Sequence, residues 1–331
     1  MIKLNKTQEA ALNIMQADAR YLYTIIDIYK HAPNVQSNYT CMSLPYIGLF
    51  VDGAEQWCKK VGMNAPTFTP EEKAYYEEIR AGHKLFSKSY LDFDRDLHYR
   101  FLESDRHFYN IRSVREKIFG YYNVGTDVYN GQFCGNTILC AAYNPPVAID
   151  NPDGEWLKEK SIIGGELASY LGCQNISPYK YDKSAVVGYK DFHFFKNCPI
   201  KQNSFDHFIY FSILCTVNFV IEFVENIFQE EMIQKFKFAY LQYYYLCGFI
   251  DQVNNSKGMI FKINNMYCHR SFRNCLAHYG LGQFMSEKDI IDNDILKGLT
   301  VKAFNKDYYE MKHLVFSELK NLVIQIENII F

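Results

Sequence analysis

Arg273, Asn274 and His278 fall within one short stretch, Arg273-Asn274-Cys275-Leu276-Ala277-His278, which Tyr279-Gly280 continues. A guanidinium is charged at every ordinary pH and offers its donors in a planar fork that matches phosphate. An imidazole titrates near neutrality, so it can take or give a proton there. An amide can hold either the imidazole or a substrate by hydrogen bonding. Together these groups suit displacement at phosphorus, where negative charge grows on the phosphoryl oxygens while a proton moves. The surroundings favour an anion. From Gln252 to Ser286 there is no Asp or Glu, while Lys257, Lys262, His269, Arg270, Arg273 and His278 all lie there. In a chain of formal charge −2 that is a local positive field.

The stretch must sit on a helix for these groups to converge. Five residues of helix give a rise of about 7.5 Å and a rotation of roughly 140°. Arg273 and His278 therefore do not share a face, and they meet only if the long Arg273 side chain folds back. Ser271 is the expected N-cap, which puts Arg273 at the second helical position beside free backbone N–H groups. Gly280 and Gly282 are the expected stop signals.

Arg, a polar residue, three more positions and a His resemble the R-x4-6-H signature of the HEPN superfamily, here as Arg273-Asn274-x-x-Ala277-His278. The resemblance covers the last 130 residues or so, and nothing similar is seen in the first 200. It implies a helical bundle and, for many members, a metal-independent endoribonuclease that works as a dimer. On that basis the ribose 2′-hydroxyl attacks the adjacent phosphorus. His278 serves as base or orienting group, Arg273 stabilises the phosphate charge, and Asn274 holds His278 or the substrate. Tyr279, Arg270, His269 and Lys262 are the expected substrate contacts. RNA is the expected partner, along with a second copy through the C-terminal bundle and a neutralising or regulatory protein. No cofactor or metal is expected. The resemblance implies a toxin or phage-defence role. Other family members with intact motifs are non-catalytic RNA- or nucleotide-binding proteins. One subgroup of toxins resembles R-x4-H-x-Y, and here Gly280 stands where its Tyr would be. The structural alternative has Arg273 paired with Glu222 or Glu225 and His278 as a satisfied bundle histidine.

The elements that would position the motif are mainly α. Phe205 to Phe228 is apolar nearly all round, which predicts central burial; its uncharged run is short for a membrane span. Helices are expected over Glu231–Val253, around the motif, and over Asn305–Ile330, with an acidic exposed connection from Glu287 to Asn293. These make residues 201–331 a bundle of antiparallel neighbours, whose girth at Phe205–Phe228 and Tyr240–Tyr244 offers apolar surface to a second copy.

Residues 1–200 read as a separate module of helices and a few short strands. Apolar spacing predicts a helix over 7–31, another after Pro45 as far as Gly62, and a third from Thr69-Pro70-Glu71-Glu72 to Ser87. Six of the nine Arg fall from Arg80 to Arg115; Arg95, Arg100, Arg106 and Arg112 could bind a phosphate-bearing ligand or RNA, but Asp92, Asp94, Asp96, Glu103 and Asp105 interleaved at helical distances favour ion pairing. Arg100 and His107 repeat the motif spacing, but Phe101 takes the polar position. Thr137–Ala142, Ala185–Tyr189 and Phe192–Phe195 are expected strands, Ser161–Leu171 a short helix, the Pro-containing segments at 144–146 and 151–154 turns, and 197–204 a linker.

At 331 residues with 48% hydrophobic and 22% charged content the chain is globular. Its 17% aromatic content points to an aromatic core. Ten scattered Cys without C-x-x-C, and an N-terminus without an apolar run, predict reduced thiols and a cytoplasmic protein with no membrane association.

Overall fold

The computed structural model describes residues 3–35, 38–110, 113–119, 122–143, 155–173, 175–194, 200, 205–280, 284–292 and 294–331. The fold is mainly α. Helix α1 (Lys6–His31) begins in a capping box, in which the Asn5 side chain accepts from the Gln8 N–H and Gln8 accepts from the Asn5 N–H, both at 2.9 Å. Of the expected apolar positions, Ala11, Ile14, Met15, Leu22 and Ile25 are buried, Ile26 is half-buried and Tyr29 is exposed. Helix α2 (Tyr39–Val61) starts earlier than expected, so Pro45 lies inside it, and it ends at Gly62 with φ 73°. Helix α3 (Pro70–Ala81) has the expected start: Thr69 caps, Pro70 opens the first turn, and Glu72 closes the box. It stops short of Ser87 because the chain tightens into a 3-10 turn over Gly82–Ser87.

Helices α4 (Tyr90–Tyr109) and α5 (Val114–Phe119) follow, then a hairpin of β1 (Tyr122–Tyr129) and β2 (Gln132–Asn136). Asn130 and Gly131, with φ of 50° and 82°, supply the left-handed turn the hairpin requires. In α4, Arg95 pairs with Asp92 at 2.6 Å and Arg100 with Glu103 at 2.8 Å, as the interleaved charges predict. The expected strand at 137–142 is instead helix α6 (Thr137–Tyr143). Asn136 decides this: its side-chain oxygen accepts from the N–H groups of Ile138 and Leu139 at 3.1 and 2.9 Å, which caps a helix. Helix α7 (Glu155–Tyr170) is longer than expected. Strand β3 (Gly188–Phe194) pairs antiparallel with β1, giving the order β2-β1-β3. The 185–189 run joins this strand only from Gly188. The expected turns at 144–146 and 151–154, and the linker at 197–204 apart from Ile200, fall outside the described residues.

Helix α8 (Phe205–Ile227) widens to π-helical bonding over Phe219–Val224. By length and composition it could cross a bilayer, yet 94% of its most apolar window is buried inside this chain. Helices α9 (Ile233–Lys257), α10 (Arg270–Ala277), α11 (Ile295–Phe304) and α12 (Tyr308–Ile330) complete the chain. The closing helix begins later than expected because Asn305 turns left-handed (φ 53°) and caps α11. In the 287–293 connection, Asp289 is buried and pairs with Lys302 at 2.8 Å; Asn293 falls outside the described residues. One hydrophobic core holds side chains from Ala10 to Ile330 and crosses residue 200 without a break.

Two glycines on α2 set the distances that matter for the motif. A Cβ on Gly48 would lie 2.5 Å from the Arg80 backbone nitrogen, and one on Gly53 would lie 2.9 Å from the Tyr279 ring. Replacing Gly48 with Val should therefore cost about 1–3 kcal/mol through overpacking. Urea denaturation reads this as a lowered midpoint, and an unchanged midpoint would show that the close approach of α2 to α3 is not needed.

Candidate functional site

Helix α10 carries the motif, but its start differs from the expected one. His269 is the N-cap: its Nδ1 accepts from the Phe272 N–H at 3.1 Å, and its own N–H donates to the Tyr240 hydroxyl at 3.0 Å. The imidazole reaches the third helical amide, so Ser271 is not needed as a cap. Arg273 is therefore the fourth helical residue, and its N–H is bonded to the His269 carbonyl at 3.0 Å rather than free for an anion. At the other end the His278 N–H bonds the Asn274 carbonyl at 2.9 Å. Tyr279 and Gly280 then adopt positive φ, 50° and 67°, and the Gly280 N–H bonds the Cys275 carbonyl at 3.1 Å. This Schellman-type ending turns neighbouring side chains apart: His278 is half-buried, whereas Tyr279 is fully buried.

His278 meets a residue from the other end of the chain. Arg80, in the last turn of α3 and only 8% exposed, donates from Nη2 to the Ala277 carbonyl at 3.1 Å and to His278 Nδ1 at 2.9 Å. Its Nη1 is paired with Asp52 of α2, which also accepts from Gln56. A guanidinium can only donate, so Nδ1 is the acceptor and the ring hydrogen sits on Nε2. The pKa of His278 is lowered to about 4 by burial and by the positive charges of Arg80, Lys84 and Arg273, with Asp52 acting in the opposite sense. Lys84 is itself lowered by burial and by Arg80 and Arg273. Three cations thus face one carboxylate.

Arg273 packs its guanidinium over the rings of Tyr244 and Tyr245 on α9, 5.0 and 5.4 Å from their centroids. Among the described residues it has no carboxylate partner. Glu225 is taken by Lys312 at 3.1 Å, and Glu222 accepts from Asn226 at 3.2 Å. Among the described residues, four buried polar atoms in this neighbourhood lack a hydrogen-bond partner: Arg80 Nε, His83 Nε2, Tyr245 Oη and Arg273 Nε. They are linked side by side. His83 contacts the Arg80 carbonyl through Nδ1, its ring lies 6.0 Å from that of Tyr245, and Arg273 covers Tyr245. Burial holds His83 well below the usual imidazole range, so it is neutral.

The structure brings Arg273 and His278 into one field and leaves the other expected residues apart. Asn274 serves through its backbone carbonyl; among the described residues its side chain makes no hydrogen bond to His278. Tyr279 cannot stack on a base where it lies, because its hydroxyl is turned inward to donate to Asp18. His269 is spent on the cap. Arg270 is exposed on a groove of about 590 Å³ that Tyr244 and Tyr245 also line. Lys262 lines a different groove, of about 790 Å³, with Asp251 and Glu318. Arg100 is paired, and the His107 side chain falls outside the described residues. No group of three or more His, Cys, Asp or Glu suited to a metal forms among the described residues. Arg80, Asp52, His83 and Lys84 are the residues that spacing misses, since they lie about 200 positions from the motif.

His278 should stay neutral down to about pH 4, so the pH effect on stability has a definite sign. Between the unfolded value near 6.5 and the folded value, the unfolded chain binds a proton that the folded chain refuses. The contribution of His278 is therefore complete above pH 6.5 and is lost as pH falls through that window. Lys84→Met removes one of the facing cations and should raise the His278 pKa, read by NMR titration of its ring proton. An ordinary pKa in the parent would contradict the field as a whole, and no change in the variant would remove Lys84 as a cause.

No family model, curated protein or solved structure matches this chain.

Proposed function

We propose that the Arg80–Lys84–Arg273–His278 cluster binds the phosphate of RNA and cleaves it without a metal ion. The observation that carries this reading is a set of three buried donors, Arg80 Nε, Arg273 Nε and Tyr245 Oη, that have no partner among the described residues and lie inside a field of three cations. Buried donors without acceptors are costly, and a phosphate supplies acceptors and the opposite charge together. The HEPN resemblance of Arg273-Asn274-x-x-Ala277-His278 supports the same chemistry, with the ribose 2′-hydroxyl as nucleophile, and with it a toxin or defence role.

In this reading Arg273 and Lys84 take the phosphoryl oxygens, since neither has a carboxylate partner among the described residues. His278, hydrogen on Nε2, donates to a substrate oxygen and orients the attack. Bound phosphate offsets the positive field, which raises the proton affinity of the ring. Accepting the 2′-hydroxyl proton at Nε2 requires the other tautomer, which becomes accessible as Arg80 Nη2 turns from Nδ1 to the phosphate. A second reading, RNA or nucleotide binding without cleavage, is favoured by one observation: Nδ1 is already occupied by Arg80.

The expected homodimer through the C-terminal bundle stays part of this proposal, on a different surface. Phe205–Ile227, Tyr240 and Tyr243 are used in the chain's own core, and among the described residues of that bundle exposed Ile260, Met266, Ile291, Val301, Tyr309 and Ile324 are the large apolar groups left to a second copy.

Generic RNA incubated with the protein and EDTA should be cut to leave 2′,3′-cyclic phosphate ends. His278→Ala should lower the rate by about 10²–10⁴-fold, and Arg273→Lys should recover only part of what Arg273→Ala loses, because the fork is lost. Salt-sensitive binding without cleavage would establish the second reading. Alanine variants as active as the parent would place the chemistry elsewhere.

A further inference from the structure

Cys247, buried on α9, and Cys268, the half-buried residue just before the His269 cap, both line the groove that Arg270 overlooks. The two thiols are close enough for each to shift the other's proton affinity. Backbone carbonyls fix both sulfurs: Cys268 Sγ contacts the Tyr244 carbonyl at 3.9 Å, and Cys247 Sγ contacts that of Asn264 at 3.8 Å. The groove is open beside them, since a Cβ on neighbouring Gly248 would meet nothing within 4 Å. We propose that Cys247 and Cys268 form a modification site at which a hydroperoxide oxidises the pair to a disulfide that ties α9 to the entry of the motif helix.

The two sulfurs are not equivalent. Cys268 is half-buried where Cys247 is only 3% exposed, so Cys268 is the sulfur a peroxide reaches and acts as the nucleophile. The Cys247 thiol is pushed up by its neighbour Cys268 and by burial. Cys58, Cys134, Cys140, Cys173, Cys215 and Cys275 are also pushed up, burial being the largest cause for each. Cys140 has a thiol neighbour in Cys41, but neither of them lines the groove beside the motif helix.

The chemistry balances. The Cys268 thiolate attacks one peroxide oxygen, a sulfur–oxygen bond forms, the oxygen–oxygen bond breaks, and hydroxide leaves and is protonated to water. Sulfur is oxidised to a sulfenic acid and the peroxide is reduced. Cys247 then attacks that sulfur, the sulfur–sulfur bond replaces the sulfur–oxygen bond, and the departing hydroxide takes the Cys247 proton as a second water. The Cys268 sulfur touches the backbone of Tyr244, whose ring carries Arg273, so the cross-link ties down the residue that supports the guanidinium.

The test treats the full chain with equimolar hydrogen peroxide, alkylates the remaining thiols and maps the peptides without reduction. The expected result is loss of the Cys247 and Cys268 thiols together, with one disulfide joining their peptides that dithiothreitol reverses. Cys247→Ser should stop the reaction at a Cys268 sulfenic acid that dimedone captures, and Cys268→Ser should protect Cys247. Prior oxidation of Cys41 or Cys173 with Cys268 intact would overturn the proposal. So would a Cys268 sulfenic acid that persists in the parent without a disulfide.

Discussion

The Arg80 guanidinium holds this structure's candidate site together. From the end of α3 it reaches Asp52 on α2, the last carbonyl of α10 and the imidazole of His278. No other group in the cluster bonds all three elements. Removing it would leave Asp52 as a buried unpaired charge, which costs about 3–5 kcal/mol. It also fixes the His278 tautomer and contributes to the field that keeps the ring neutral. Its backbone sits where it does because Gly48 lets α2 approach without a side chain between them.

A second buried ion pair secures the next residue. Asp18 on α1 accepts from Lys237 and Gln234 of α9 and from the Tyr279 hydroxyl, and Lys237 lies 4.5 Å from the centre of the Tyr279 ring. Asp18 is 4% exposed and Lys237 wholly buried. Consecutive residues at the end of α10 are thus clamped in opposite directions, His278 by Arg80 and Asp52, Tyr279 by Asp18 and Lys237. The left-handed turn at Tyr279 and Gly280 is what makes the two clamps compatible. The helices before residue 100 consequently supply half of the framework around a motif that lies near the other end of the chain.

Local chemistry made much of the fold legible. Thr69-Pro70-x-Glu72 announces α3, apolar spacing announces α1, and the unbroken apolar girth of α8 announces central burial, because each is decided within a few turns. Errors arose where one side chain outweighed the pattern. Asn136 caps a helix from a run that reads as a strand, and His269 displaces Ser271 as the cap of α10. Arg273 and His278 were legible from type and spacing. Arg80 was visible only as one member of an arginine-rich stretch, because its partners are set by packing between α2, α3 and α10. Tyr279 read equally as a substrate contact or a core residue, since a positive φ at a non-glycine residue leaves no mark in the sequence.

The central claim is that Arg80, Lys84, Arg273 and His278 act as one anion site. The most direct measurement follows the His278 ring proton by NMR across pH while a 2′-deoxy oligonucleotide, which cannot be cleaved through a 2′-hydroxyl, is added to saturation. The account predicts that the pKa rises from about 4 toward the ordinary imidazole range, because bound phosphate offsets the field that depresses it. A His278 titration unchanged at saturation would contradict the account, since it would place the nucleic acid away from this cluster.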